Sequence, residues 1–215
     1  MWDSLEKPWQ TCLELAWQSY CEGSVPIAAV ITDAEGRIIS QGRNLSRAAR
    51  DGRQNQIAGG PLAHAEINAL LALDWAKVDV HALELFSLVE PCPLCMGAIC
   101  MAGLKTIRYT APDAWAGSTN LLDLSPYFRW KQIGAFPPEN PELETVVQIL
   151  QVDHMLASGH PRTEQVVQKW NEADPDNICR GRAIHETGEV RHMASQGITA
   201  REAVERIHEL ARKLR

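Results

Sequence analysis

At 215 residues, 45% apolar and 22% charged, the chain reads as an ordinary globular polypeptide, long enough for one α/β domain of about 150 residues plus an appendage. Its net charge of -6 argues against a surface devoted throughout to nucleic-acid phosphates, whose binding draws on Lys and Arg. No run approaches the roughly 20 apolar residues of a membrane span, and Met1 to Gln10 carries charges and Pro8 where a signal peptide has its apolar core, so a cytoplasmic protein without membrane contact is expected.

Leu5, Trp9, Cys12, Leu13, Ala16, Trp17 and Tyr20 recur at helical spacing, which predicts an amphipathic helix over 4–22. Val25 to Thr32 is apolar and β-branched, breaks at Asp33-Ala34-Glu35-Gly36 and resumes at Arg37 to Ser40, the pattern of a hairpin. Residues 43–53 then bring Arg43, Arg47, Arg50 and Arg53 against a single Asp51. This segment reads as a solvated polar loop, with a local phosphate-binding patch as the alternative.

After Gly59-Gly60-Pro61, the positions Leu62, Ala65, Ala69, Leu70 and Leu73 predict a second helix over 62–75 that carries His64 and Glu66. Leu83 to Val89 suits a buried strand, Cys92 to Ala102 another helix and Thr106 to Thr110 a further strand. This alternation implies a layered α/β sheet. From Pro112 onward the pattern turns irregular until 144–152, where periodicity leaves helix and strand both open. Residues 171–197, broken by Pro175, Gly181, Gly188 and Gly197, read as a linker or irregular arm. Thr199 and Glu202 have capping-box spacing, and Val204, Ile207, Ala211 and Leu214 continue as a helix over 199–214. A domain over 1–160 and a C-terminal extension over 161–215 are therefore expected.

Six cysteines are too few and too irregularly placed for a disulfide scaffold, and two of them form the pair Pro91-Cys92-Pro93-Leu94-Cys95. The other chemically loaded piece is His64-Ala65-Glu66. One imidazole and two thiolates make a zinc ligand set, and a catalytic zinc keeps a fourth position for water, whose pKa it lowers toward neutrality. Cysteines at the start of a helix favour the thiolate. Glu66, two residues past the ligand His64, is placed to carry protons without itself binding the metal. H-x-E followed by P-C-x-x-C is the signature of zinc deaminases. His64-Ala65-Glu66 alone is a weak signal, and the cysteine pair alone would equally fit a thioredoxin-like dithiol or half of a structural site. The latter needs a fourth ligand, for which His81, Cys100, His154 and His160 are candidates, none at a second ligand spacing.

The segments VPIAAVI (25–31), GRN (42–44), PLAHAEINAL (61–70), EPCPLCMGAI (90–99) and IRYTAPDAWAG (107–117) together resemble the cytidine deaminase-like superfamily. Within it they are similar to the branch of guanine and other nucleobase deaminases and tRNA adenosine deaminases. The resemblance spans roughly residues 5–125. It implies a three-layer α/β/α fold with a mixed five-stranded sheet, zinc as cofactor on His64, Cys92 and Cys95, Glu66 as proton carrier, and a homodimer. It also implies that Asn44 hydrogen-bonds the substrate and that the main chain around Ala63 and Glu90 seats the base.

Three departures favour a small nucleobase, nucleoside or nucleotide over tRNA as substrate. The loop from Asn44 to His64 is long, Trp115 stands where a basic residue is expected, and the chain is acidic. A tRNA adenosine deaminase remains the alternative within the family, and a non-catalytic zinc-stabilised binding module the alternative outside it.

Overall fold

The structure is a computed structural model that describes residues 1–50, 55–136, 138 and 140–214. Its centre is a five-stranded sheet built from β1 (Ala28–Thr32), β2 (Ile38–Arg43), β3 (Glu84–Val89), β4 (Thr106–Ala111) and β5 (Gly134–Phe136), in the order β2-β1-β3-β4-β5. β1 runs antiparallel to both β2 and β3, whereas β3, β4 and β5 are parallel. The sheet is therefore mixed, as the resemblance implied.

Alternation along the strands sends side chains to two separate apolar layers. Ala29, Ile31, Leu85 and Ile107 face α2 (Ala65–Leu71) and α3 (Pro93–Ala102), meeting Ala65, Ala69, Met96 and Ile99. Ala28, Val30, Phe86 and Leu88 face α1 (Lys7–Cys21), where Cys12, Leu13, Ala16 and Trp17 cover them. Each fully buried Leu or Ile here contributes about 1.5–3 kcal/mol. β5 lies in the stretch without periodicity after Pro112, where α4 (Leu121–Leu124) and α5 (Pro126–Lys131) also fall.

The region 144–152, open between helix and strand, is the middle of α6 (Pro141–Ala157), capped by Asn140, whose side chain accepts from the amides of Glu142 and Leu143. The expected irregular arm is instead helical: α7 (Thr163–Ala173), α8 (Pro175–Thr187) and α9 (Glu189–Ser195) precede α10 (Ala200–Lys213). Its apparent breakers are helix punctuation. Pro175 opens α8 behind the N-cap Asp174, and Gly188, with φ 70°, is the left-handed residue between α8 and α9. Gly181 lies within α8 because a Cβ there would stand 2.8 Å from Val152 of α6. The capping box of Thr199 and Glu202 forms as the spacing predicts.

α10 covers its apolar stripe within the chain. Ala203, Val204, Ile207 and Ala211 join the cluster of Trp9, Leu13 and Trp17 of α1 and Val146 and Ile149 of α6. A third cluster, Val152, Val166, Val167, Trp170 and Ile178, knits α6, α7 and α8.

Candidate metal centre

Two helices on one face of the sheet begin side by side, and each presents a ligand residue as its N-cap. His64 precedes α2 with extended backbone (φ -77°, ψ 153°), and Cys92 precedes α3 likewise (φ -73°, ψ 172°), with Pro93 opening the helix. The helix predicted over 62–75 is thus confined to Ala65–Leu71, and Leu62 is 56% exposed rather than part of its apolar face. His64 stands before the helix and only Glu66 within it.

Cys92 Sγ is 3.4 Å from His64 Nδ1 and 3.7 Å from Cys95 Sγ, and Cys95 Sγ is 3.5 Å from the same nitrogen. A tetrahedral zinc, with Zn–S of about 2.3 Å and Zn–N of about 2.0–2.1 Å, sets two sulfurs about 3.8 Å apart and each sulfur about 3.6 Å from the nitrogen. The three edges match that tetrahedron, so the donor set fits zinc. Among the described residues this is the one such group of His, Cys, Asp and Glu. The four candidates for a structural fourth ligand lie outside it, with Cys100 in the apolar layer and His81 against the Gly103 carbonyl. Three protein ligands are the number a catalytic zinc uses.

Hydrogen bonds from Cys95 and from His64 draw the Cys92 thiol down to about 4, whereas donating to Cys92 and burial push Cys95 up. The Cys92 sulfur also raises His64 above the usual imidazole range. Glu66 is 4% exposed, and burial holds its carboxyl above the ordinary carboxylate range, with the Cys95 thiol as a hydrogen-bond partner. A carboxyl so held keeps its proton to higher pH than a solvated one, which suits a group that both takes and returns protons.

Asn44, Ala63 and Glu90, the other expected site residues, are each held by hydrogen bonds within the chain. Asn44, buried at the end of β2, accepts from the Ser46 amide at 3.0 Å through Oδ1. Both main-chain groups of Ala63 have internal partners, its amide donating to Gly60 O and its carbonyl accepting from Leu45. Glu90 is tied by its amide to Ala111 O at 2.8 Å. Its carboxylate accepts from the Thr119 amide (3.0 Å) and hydroxyl (2.6 Å), a bracing role that no spacing in the sequence announces. Arg43 faces inward and pairs with Glu22 at 2.7 Å, which removes it from any phosphate patch. Arg47 and Arg50 are exposed, and Arg53 lies outside the described residues.

The family model for the cytidine and deoxycytidylate deaminase zinc-binding region matches residues 3–111. The chain belongs to this family. Members similar to it include the guanine deaminase of Bacillus subtilis, 31% identical over 152 residues that cover 66% of this chain and 85% of that protein. The tRNA-specific adenosine deaminase of Haemophilus influenzae is 34% identical, covering 53% of this chain and 61% of that protein. A tRNA(Ile)-lysidine synthase of Deinococcus radiodurans is 32% identical over 60% of this chain, which spans only 21% of that longer protein. The fold is shared with the solved structure of NE0047 in complex with 2,6-diaminopurine, at a TM-score of 0.51 and 22% identity, covering 72% of this chain and 82% of that one. The family's zinc is thus the cofactor that His64, Cys92 and Cys95 are arranged to hold.

Proposed function

We propose that this chain is a hydrolytic deaminase of a nucleobase, nucleoside or nucleotide, with His64, Cys92 and Cys95 as zinc ligands and Glu66 as its general acid and base. The observation that carries this reading is the ligand triangle of tetrahedral dimensions with a buried carboxyl beside it. Zinc bound there supplies the Lewis acidity that activates a water near neutral pH. Glu66 takes the proton of that water, delivers it to the ring nitrogen next to the reacting carbon, and assists the departure of the amine. The net change is addition of water, loss of ammonia and a carbonyl in place of the amino group.

Asn44 has its Oδ1 occupied by Ser46, which leaves its Nδ2 as a donor toward the substrate ring. Main-chain groups near Ala63 and Glu90 complete the seat. A small substrate is favoured over tRNA because Arg43 is committed to Glu22 and the chain is acidic.

We also assign the active form as a homodimer in the cytoplasm. α3 is apolar on both faces, and its outer side leaves Leu94 and Met101 at 40% and 70% exposure beside Trp130 at 72%. The Tyr127 hydroxyl lies 3.6 Å from Met101 Sδ, which makes the patch continuous with α5. An exposed apolar surface of this kind marks a protein contact. All six cysteines are free, in keeping with a reducing compartment. Residues 1–160 form the deaminase unit in this reading, and 161–215 its extension.

The test is ammonia release from purified, zinc-loaded protein offered guanine, adenine, cytosine, their nucleosides and nucleotides, and a tRNA pool, with Glu66→Gln as control. Release from one small substrate that vanishes in the variant is expected. Release from tRNA alone would instead favour the polynucleotide reading. Silence across the panel, with zinc retained, would favour a zinc-stabilised binding module.

A further inference from the structure

The loop that follows β4 is folded around one carboxylate. Asp113 Oδ1 accepts from the amides of Trp115 at 2.9 Å and Ala116 at 3.1 Å, which closes an Asx turn. The far side of the loop is fixed to the segment leading into the metal ligands. Thr119 and the Asp113 amide bond the Glu90 carboxylate, and the Ser118 amide donates to Pro91 O at 3.0 Å, one residue before Cys92. Gly117 passes so close that a Cβ would stand 2.2 Å from Glu90 Oε2. The loop and the entry to the cysteine pair therefore move as one piece.

A residue far along the chain holds that piece from outside. Trp170 of α7 buries its indole among Val152, Val166, Val167 and Ile178, yet its Nε1–H donates to Asp113 Oδ1 at 2.8 Å. Gln148 of α6 adds a bond to Pro112 O at 3.0 Å. The oxygen that folds the turn is thus the one gripped by the C-terminal helices, through a hydrogen bond to a charged acceptor, which is stronger than a neutral one.

We propose that α7 is a strut for the candidate active site, with Trp170 a positioning residue that acts through Asp113 on the 113–119 loop and, through Glu90, on the approach to Cys92. The inference rests on the deaminase reading of that site. It gives the C-terminal extension a task beyond covering the core: holding the mouth of the site in its binding shape. A loop held in place before binding spares the substrate the ordering cost, so loosening it raises KM more than it lowers kcat.

The test compares Trp170→Phe, which keeps an aromatic ring in the apolar cluster and removes the donor along with the rest of the indole, with Asp113→Ala and with Asp113→Asn, which retains an accepting oxygen. Hydrogen exchange at the amides of Trp115, Ala116 and Thr119 in the zinc-loaded protein is the first readout. Guanine turnover, with cytosine as second probe, is the other. Trp170→Phe is expected to speed loop exchange about tenfold, the scale of one charged hydrogen bond, while zinc content stays near wild type and the melting temperature falls by no more than a few degrees. KM should rise severalfold with kcat within about twofold. Asp113→Ala should match or exceed this effect, the double variant should add nothing to it, and Asp113→Asn, which keeps the acceptor but not its charge, should fall between wild type and Asp113→Ala. Unchanged loop exchange in Trp170→Phe overturns the strut, and a loosened loop with unchanged KM overturns the positioning role. If the wild-type chain turns over neither base, the kinetic readout moves to whichever member of the full panel it does turn over; if it turns over none, the deaminase reading fails separately, and exchange alone decides whether α7 holds the loop.

Discussion

A Cβ placed on Gly42 would lie 2.2 Å from the main-chain nitrogen of Ala69, so β2 and α2 touch backbone to backbone. The contact continues to the Ala65 carbonyl at 2.3 Å, at the start of the helix that carries Glu66. Asn68 reinforces it by donating to Arg43 O at 3.1 Å. Gly42→Ala must push α2 away from the sheet, because no flexible side chain is there to yield. We expect a loss of about 3 kcal/mol in urea unfolding and a weaker zinc affinity by competitive chelation, whereas Gly97→Ala, which meets open space on α3, should leave both near wild type.

The ligand triangle predicts one zinc per chain by elemental analysis. Replacing His64, Cys92 or Cys95 by Ala should abolish it, and replacing Cys12, Cys21, Cys100 or Cys179 should not. Chelation should lower the melting temperature, since zinc binds the folded chain in preference to the unfolded one. Glu66→Gln should keep the metal while lowering turnover by about 100-fold or more.

Tyr20 donates its hydroxyl to Asp153, a fully buried carboxylate that also holds His185 and Arg191 at 2.9 Å each. Burial and that bond push the phenol above its usual range. A group whose folded pKa is raised contributes stability in full below its unfolded value, near 10 for Tyr, and loses it as pH climbs through the folded value. Tyr20→Phe should therefore cost about 2 kcal/mol at pH 7, with the difference from wild type shrinking above about pH 10 in urea unfolding.

The outer face of α3 predicts the assembly. Met101→Asp should convert a dimer to a monomer in sedimentation while zinc content holds, because Met101 faces away from the ligands. A wild-type chain that sediments as a monomer at micromolar concentration would remove the dimer from the reading.

Residues adjacent in sequence with fixed local geometry were legible without coordinates. His64 and Glu66, Cys92 and Cys95, and the Thr199 capping box each depend on one helix start, where spacing sets which groups meet. The hairpin of β1 and β2 and the apolar stripe of α1 follow from periods of two and of three to four residues. Within 171–197, Pro175, Gly181 and Gly188 have the sequence pattern of breaks where the structure has helices. A glycine that admits a neighbouring helix and a proline that opens one look the same in sequence as residues that break structure. β5 carries only three residues, too few for any period to register.

The sequence by itself determined the metal chemistry, the buried faces of the first helix and hairpin, and the final helix, because each is encoded within a few consecutive turns. Only the tertiary structure decided that His64 and the cysteine pair meet at tetrahedral distances, that Arg43 turns inward to Glu22, and that Trp170 reaches Asp113. Those relations join residues far apart in the chain, and the packing of helices on two faces of a sheet, which no local pattern specifies, brings them together.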